Sequence, residues 1–396
     1  MRIAILTEGY FPEVSGVTLA VANHLEFLRG RGHELLLIHP EYPASMQQSQ
    51  PRSTAAATVV TFDSQPLTRD RIEVRTPTVQ AAVQVDRALR EFRPDLVMYH
   101  NPDRLIPELS KVWKKPRVVG LAAAKSLGVP TVPVIHTLLP LYIARTGPWL
   151  WRNPLGAWLA QRVWAQLHNQ SFDFAVTVDV AARAYLQRIG LRLPLLAGAY
   201  NGVDTRVFYP QQHDRKEGPL HICMVGRLAA EKNMQLLPGL VAALGNASYL
   251  LTVVGAGPLL SSLQQQLGGR PEVRFLGWRS SVEIAQVLSH ADIYLSLSDT
   301  ESYSLTASEA LACGVPVVAP RALAFERLDG LGVGMLFPPS WLSTSGMRLL
   351  VGSLLELAPR VPAWSSAARL LAPSLSWELA LGRLFTDLSV RLRLTI

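Results

Sequence analysis

Asp299-Thr-Glu301-Ser-Tyr-Ser304-Leu-Thr-Ala-Ser-Glu309-Ala-Leu-Ala-Cys-Gly314-Val-Pro-Val-Val-Ala319 is the stretch whose reading decides the fold. An apolar run, Ile293–Ser298, leads into it, and a turn carrying Glu301 follows. A helix is predicted from about Ser304, with Glu309 inside it and Gly314 at its end, before a second apolar run, Pro316–Ala319. Strand, helix and strand with short connections form a βαβ unit, so the two strands run parallel. The loop before the helix offers unpaired backbone N–H groups and a positive dipole end, a ready site for a diphosphate. Glu309 stands among Leu305, Ala307, Ala310, Leu311 and Ala312, where a carboxylate is costly without a partner. Either glutamate alone reads as a surface residue; the pair in this setting does not.

The same alternation extends in both directions. Strands are predicted at Arg2–Thr7, Glu34–Ile38, Asp95–Tyr99, Thr131–Ile135 and Phe174–Val178. A second series runs through His221–Val225, Tyr249–Val254 and Val273–Leu276. Between the first two strands, Val17, Val21, Leu25 and Leu28 repeat with helical spacing. The stretch 47–58 is polar and rich in small residues, which suits a surface loop, and Gln211–Pro219 is a polar break between the series. At 396 residues the chain exceeds what one core usually supports. The fold class is therefore α/β, two doubly wound Rossmann-like domains, 1–205 and 206–375, with ligands expected beyond the carboxyl ends of the strands in the cleft between them. A terminal helix, 376–396, is expected to cross back to the first domain.

Composition narrows the class. Apolar residues make up 49% and charged residues 17%, which supplies buried cores and excludes global disorder. The uncharged stretch 126–144 is broken by Pro130, Pro133, Pro140 and His136, a poor candidate for a spanning helix. No Asp-x-Asp occurs, and no His, Asp or Glu cluster has metal-ligand spacing. Cys223 and Cys313 make neither a disulfide framework nor a zinc pattern, consistent with a reduced, cytoplasmic setting. The net charge of +8 is uneven: residues 1–200 hold 22 Lys and Arg against 15 Asp and Glu. That half is suited to an anionic partner, although no nucleic-acid-binding module is recognised.

The opening stretch, with its Glu-x7-Glu spacing and Glu309-Ala-Leu-Ala-Cys-Gly314-Val-Pro-Val-Val-Ala319, resembles glycosyltransferase family 4, the large retaining family of GT-B fold. Further segments resemble it in order: Phe11-Pro12 with Gly16-Val17, His136-Thr137, Asn201-Gly202-Val203-Asp204, and Gly226-Arg227-Leu228 with Glu231-Lys232-Asn233. Val253-Val254-Gly255-Ala256-Gly257-Pro258 and Phe275-Leu276-Gly277 complete the set. Arg227 and Lys232 are two cations after a buried strand, able to clamp a diphosphate and stabilise the charge that grows on it. The resemblance implies that Glu309 accepts hydrogen bonds from the donor ribose and that Glu301 binds hydroxyls of the transferring sugar. It implies that backbone N–H groups at Ser304 and Leu305 hold the phosphates, that Gly16 lets the first loop approach them, and that His136 lies by the sugar. The donor would be a nucleotide diphosphate sugar, a UDP-sugar in the first instance, with no cofactor and no metal. Retention would come from a same-face reaction, so no covalent nucleophile is assigned. Glu8, Glu13 and Glu34 form no evident acid/base pair.

Three features depart from the family pattern, the first being Ser15-Gly16 where the family has Gly-Gly. Ser302-Tyr303-Ser304 stands where Gly-Phe-Gly is frequent, and Arg321-Ala322-Leu323-Ala324-Phe325-Glu326 replaces a loop that usually carries two glycines. Such losses restrict backbone geometry near phosphate and keep open a sugar-nucleotide-binding protein with weak catalysis.

On the acceptor side, Lys111, Lys114, Lys115 and Arg117 form a cationic patch around Trp113. Trp149, Trp151, Trp158 and Trp164 follow, interleaved with Arg145, Arg152 and Arg162, and on a helix Trp151, Leu155 and Trp158 share a face. Basic residues beside Trp and Leu suit an anionic membrane surface, as a peripheral protein on the inner face; the alternative buries the tryptophans in the core. His136-Thr-Leu-Leu-Pro140-Leu-Tyr142-Ile-Ala-Arg145 is locally similar to sulfoquinovosyl and glycosyl diacylglycerol synthases, implying a lipid acceptor. A soluble polysaccharide or metabolite acceptor is the alternative.

Overall fold

A computed structural model describes residues 1–46, 57–68, 71–106, 118–141, 153–211, 218–394 and 396. The chain divides into two units. One holds the described residues of 1–200 with Leu381–Ile396; the other holds Asn201–Ala380. The chain thus passes between them twice, after Tyr200 and inside its last helix.

The first unit is built on strands β1 (Arg2–Thr7), β2 (Glu34–Pro40), β3 (Thr58–Phe62), β4 (Ser64–Thr68), β5 (Arg71–Pro77), β6 (Leu96–His100), β7 (Thr131–Ile135), β8 (Ala175–Thr177) and β9 (Leu195–Ala197). All but β4 and β5 join one parallel sheet in the order β3-β2-β1-β6-β7-β8-β9; β4 and β5 pair with each other, antiparallel. Helices α1 (Gly16–Gly30), α2 (Ala81–Phe92), α3 (Leu121–Ser126), α4 (Pro154–Ser171) and α5 (Ala181–Arg188) connect the strands. β1, β6 and β7 are apolar almost throughout because helices cover both faces of a parallel sheet. Val17, Val21, Leu25 and Leu28 all point inward on α1, as their spacing predicts. The strand order reverses between β1 and β6, which makes the carboxyl ends of those two strands the switch point of this unit.

The second unit repeats the plan. Strands β10 (Leu220–Val225), β11 (Tyr249–Val254), β12 (Val273–Gly277), β13 (Ile293–Leu295), β14 (Val317–Pro320) and β15 (Gly334–Phe337) lie in the order β12-β11-β10-β13-β14-β15. Helices α6 (Leu237–Leu244), α7 (Leu260–Leu267), α8 (Ser281–Ser289), α9 (Leu305–Ala312), α10 (Gly346–Leu357) and α11 (Val361–Leu371) alternate with them. Helix α12 (Trp377–Leu392) begins in this unit and ends in the other. There Phe385 stacks on Phe27 of α1 at 5.4 Å, and Tyr200 donates to Asp387 at 2.5 Å.

The predicted strands are all present, with ends shifted by a residue or two except at β13. That strand stops at Leu295 rather than Ser298 because the Ser296 hydroxyl accepts from the Ser298 N–H, drawing the chain out of the ladder. β3, β4, β5, β9 and β15 were not anticipated. β3 is an exposed edge strand, β9 has only three residues, and β15 begins on a glycine. Most of the expected 47–58 loop lies outside the described residues, and its last residue, Thr58, opens β3.

Candidate functional site

In the second unit, order reverses between β10 and β13, and the loops leaving these strands carry Gly226–Asn233 and Ser296–Ser304. Asn233 fastens one to the other. It sits in the left-handed region at φ 55°, and its side-chain amide donates to the Leu297 carbonyl at 2.9 Å and to Asp299 Oδ1 at 3.2 Å. The Thr300 hydroxyl returns a bond to the Glu231 carbonyl at 3.2 Å. Both cations singled out from sequence are engaged: Lys232 Nζ donates to Glu301 Oε1, and Arg227 lies 3.4 Å from Glu231. The structure therefore unites Lys232 and Glu301 in one ion pair. Arg227 stands on the same loop with its side chain about one third exposed.

The glycines of Val253-Val254-Gly255-Ala256-Gly257-Pro258 serve this loop. A Cβ on Gly255 would fall 1.9 Å from the Gly226 carbonyl oxygen, and one on Gly257 would fall 2.4 Å from that of Leu228. Only bare backbone lets the two loops close up, with Gly226 N–H on the Val254 carbonyl and Leu228 N–H on that of Ala256.

Ser304 caps α9 from the left-handed region, φ 59°, and its own hydroxyl accepts no bond from the first turn of the helix. Those N–H groups and the positive end of the helix remain for an anion. Glu309 follows one turn later, half-buried, with no hydrogen bond or ion pair among the described residues. Burial pushes its carboxyl up to about 7. A lone carboxylate so placed accepts hydroxyl donors.

The first unit has its own polar cluster at the β1/β6 switch point. Glu8 follows β1, and Asn101 and Arg104 follow β6. Arg104 Nη1 lies 3.3 Å from Glu8 and 3.5 Å from Glu13, whose other oxygen accepts from Tyr42 at 3.2 Å. No such grouping was evident in the sequence, because the partner cation lies some 90 residues away (|i−j| = 91). Burial raises the Glu8 carboxyl to about 7, against the pull of Arg104. Asn101 binds three loops: its oxygen accepts from the His136 and Thr137 N–H groups at 2.8 and 3.0 Å, and its nitrogen donates to Glu8 at 2.9 Å. His136 is 5% exposed, and its Nε2 meets His100 Nδ1 at 2.8 Å; burial holds its pKa down at about 3, so the ring is neutral. Gly16 is the exposed first residue of α1, whose N-cap is the Ser15 hydroxyl.

A family model described as Glycosyltransferase Family 4 matches residues 14–207, and one described as Glycosyl transferases group 1 matches residues 206–343. A GDP-mannose-dependent alpha-mannosyltransferase of Mycobacterium tuberculosis is 30% identical over 330 residues, covering 81% of this chain and 79% of that protein. The chain belongs to glycosyltransferase family 4. Sulfoquinovosyl transferase SQD2 of Arabidopsis thaliana is 25% identical over 81% of this chain and 60% of its own length. The alpha-monoglucosyldiacylglycerol synthase of Acholeplasma laidlawii is 24% identical over 85% and 84%. Among solved structures, HepE of Anabaena in complex with UDP superposes with a TM-score of 0.71 at 19% identity, covering 98% of this chain and all of that one. The fold is GT-B, and the chain is a glycosyltransferase.

In this glycosyltransferase the expected acceptor residues divide. Lys111, Lys114, Lys115 and Trp151 lie outside the described residues. Trp158 is 51% exposed on α4, beside Leu155 at 73% and Leu159 at 38%. Trp164 on the same helix is buried and stacks on His168 at 3.9 Å, so there the core reading applies. No helix among the described residues is long and apolar enough to cross a membrane.

Proposed function

We propose that this glycosyltransferase takes a hexose from a nucleotide diphosphate sugar, a UDP-sugar in the first instance, and passes it with retention to a hydroxyl of a membrane lipid of the diacylglycerol class. The observation that carries the donor half is the pairing of an unsatisfied carboxylate, Glu309, with an uncapped helix start and the Arg227 and Lys232 loop at one switch point. The helix start suits the diphosphate and Glu309 the ribose hydroxyls. Glu301, held by Lys232, is placed for hydroxyls of the sugar. As the bond from the anomeric carbon to phosphate breaks, Arg227 and Lys232 offset the growing charge without a metal. The acceptor oxygen bonds to the same face, and its proton passes to the departing phosphate.

The lipid half draws on relatives, one of them an alpha-monoglucosyldiacylglycerol synthase by name, and on α4. Leu155, Trp158 and Leu159 make an exposed apolar strip, and the Arg162 guanidinium lies 5.7 Å from the Trp158 ring. Arg162 and Arg192 also line an adjoining groove of about 370 Å³. Trp and Leu beside arginine suit the headgroup region of an anionic bilayer. The test is transfer from UDP-glucose and from GDP-mannose to diacylglycerol in phosphatidylglycerol vesicles, with and without EDTA. Glycolipid formed in both conditions supports the reading. Product only with soluble acceptors overturns the lipid half, and dependence on added Mg²⁺ overturns the role given to the two cations.

A further inference from the structure

The turn that carries Glu301 and the helix that carries Glu309 are held together by a residue to which no role has yet been assigned. Arg327 lies in a short 3₁₀ segment, Leu323–Leu328, after β14. Its Nη1 donates to the carbonyls of Tyr303 and Ala324, and its Nη2 to the Ser308 hydroxyl at 2.9 Å. Its guanidinium also lies 4.1 Å from the centre of the Tyr303 ring. Tyr303 is buried and donates its own hydroxyl to the Asn201 carbonyl at 2.6 Å. The Ala324 N–H reaches the Glu301 carbonyl at 3.4 Å. One side chain thus touches the end of the turn, the helix residue before Glu309, and the facing loop.

The backbone explains why a brace is needed. Ser304 and Leu323 both occupy the left-handed region, at φ 59° and 41°, which costs energy for any residue with a Cβ. Such a conformation persists only where its surroundings over-determine it. Arg327 supplies that constraint, since its Nη1 reaches carbonyls on both strained segments at once while its Nη2 holds Ser308 on the helix.

We infer that Arg327 is a positioning residue, which sets the Glu301–Leu305 turn and Glu309 for the donor without binding the donor itself. This rests on the reading of that turn and helix as the donor site. Both Nη1 hydrogens and one of Nη2 go to protein oxygens, on a half-buried side chain.

The test measures calorimetric binding of UDP-glucose and GDP-mannose to Arg327→Lys, Arg327→Met and Ser308→Ala, with Glu309→Gln as reference and the thermal midpoint of each recorded. For whichever nucleotide sugar binds the parent, Lys and Met are both expected to weaken affinity about tenfold or more, since neither reproduces the fork. Ser308→Ala, which removes the Arg327 contact and a long bond of 3.4 Å from the hydroxyl to the Ser304 carbonyl in a protein expected to stay folded, weakens it by about threefold, and decides the matter should Arg327→Met melt. Recovery of parental affinity in Arg327→Lys means the cation acts as a point charge on phosphate and overturns the proposal. Parental affinity in all three variants, with Glu309→Gln impaired, overturns it alone. Parental affinity in Glu309→Gln as well overturns the donor-site reading, and the proposal falls with it.

Discussion

Replacing Glu309 with Gln keeps the shape of the side chain and removes its charge. The carboxylate is half-buried on α9, and burial raises its pKa to about 7. The sign follows from that direction. A raised carboxyl is mostly neutral at pH 6, with about one molecule in eleven ionised, and mostly ionised at pH 8, with about ten in eleven. If the ionised form holds the donor hydroxyls, as proposed, donor affinity should climb about tenfold from pH 6 to pH 8, about 1.4 kcal/mol. In Glu309→Gln the climb should vanish, and affinity at pH 8 should fall by about 1.5–3 kcal/mol. Stability should move the other way. Between the ordinary carboxyl range and pH 7 the folded chain binds more protons than the unfolded one, so the parent loses stability as pH rises through that window. Glu309→Gln should therefore melt above the parent at pH 8. Glu8 also titrates near 7 but lies in the other unit, so Glu8→Gln should keep the climb in donor affinity. The assay is calorimetry with the nucleotide sugar at pH 6, 7 and 8, beside melting curves. A pH profile of donor affinity that is the same in parent and Glu309→Gln would refute the reasoning.

Arg227→Ala should lower kcat/KM by about 2–4 kcal/mol in transition-state terms, because the proposed site places this charge on the donor phosphate. Its melting temperature should change little, since the Arg227–Glu231 pair is solvent-exposed on the arginine side. Gly255→Ala should lose stability, by about 2 kcal/mol or more, because its Cβ meets the Gly226 carbonyl oxygen; a chemical denaturation curve matching the parent would contradict that close approach. Trp158→Ser with Leu155→Ser should reduce sedimentation with phosphatidylglycerol vesicles at low salt without altering nucleotide-sugar binding. Unchanged sedimentation would remove α4 from the docking face.

Much of the fold was legible because a parallel sheet covered on both faces needs unbroken apolar strands, and those runs stand out along the chain. Their alternation with helices indicated the class, and nine of the ten expected strands were placed to within two residues, β13 being the exception. The strands that escaped are those whose pairing comes from elsewhere. β3 is exposed, and β15 starts with Gly334, where a Cβ would lie 1.9 Å from the Val317 carbonyl oxygen. No local pattern announces either. For the site, Arg227, Lys232, Glu301 and Glu309 stood out because they follow apolar runs in the family's motifs, and the strand order that puts the Arg227–Lys232 and Glu301 loops at a switch point came only with the structure.

What spacing could not supply was who meets whom. Lys232 pairs with Glu301 across 69 positions, and Arg104 draws in Glu8 and Glu13 across more than 90. Exposure was equally out of reach: Trp158 and Trp164 share one helix, yet one faces solvent and the other stacks on a buried histidine. Left-handed Ser304, where glycine would be comfortable, is supported by Arg327 through the Tyr303 carbonyl 24 positions back, a contact that no local pattern announces. The amino-acid sequence determined the strand and helix pattern and the chemical character of the site, since periodicity and residue type are local properties. Only the tertiary structure decided the pairings, the burial that moves Glu309 and Glu8 toward neutral pH, and the support for strained backbone, because each depends on neighbours remote along the chain.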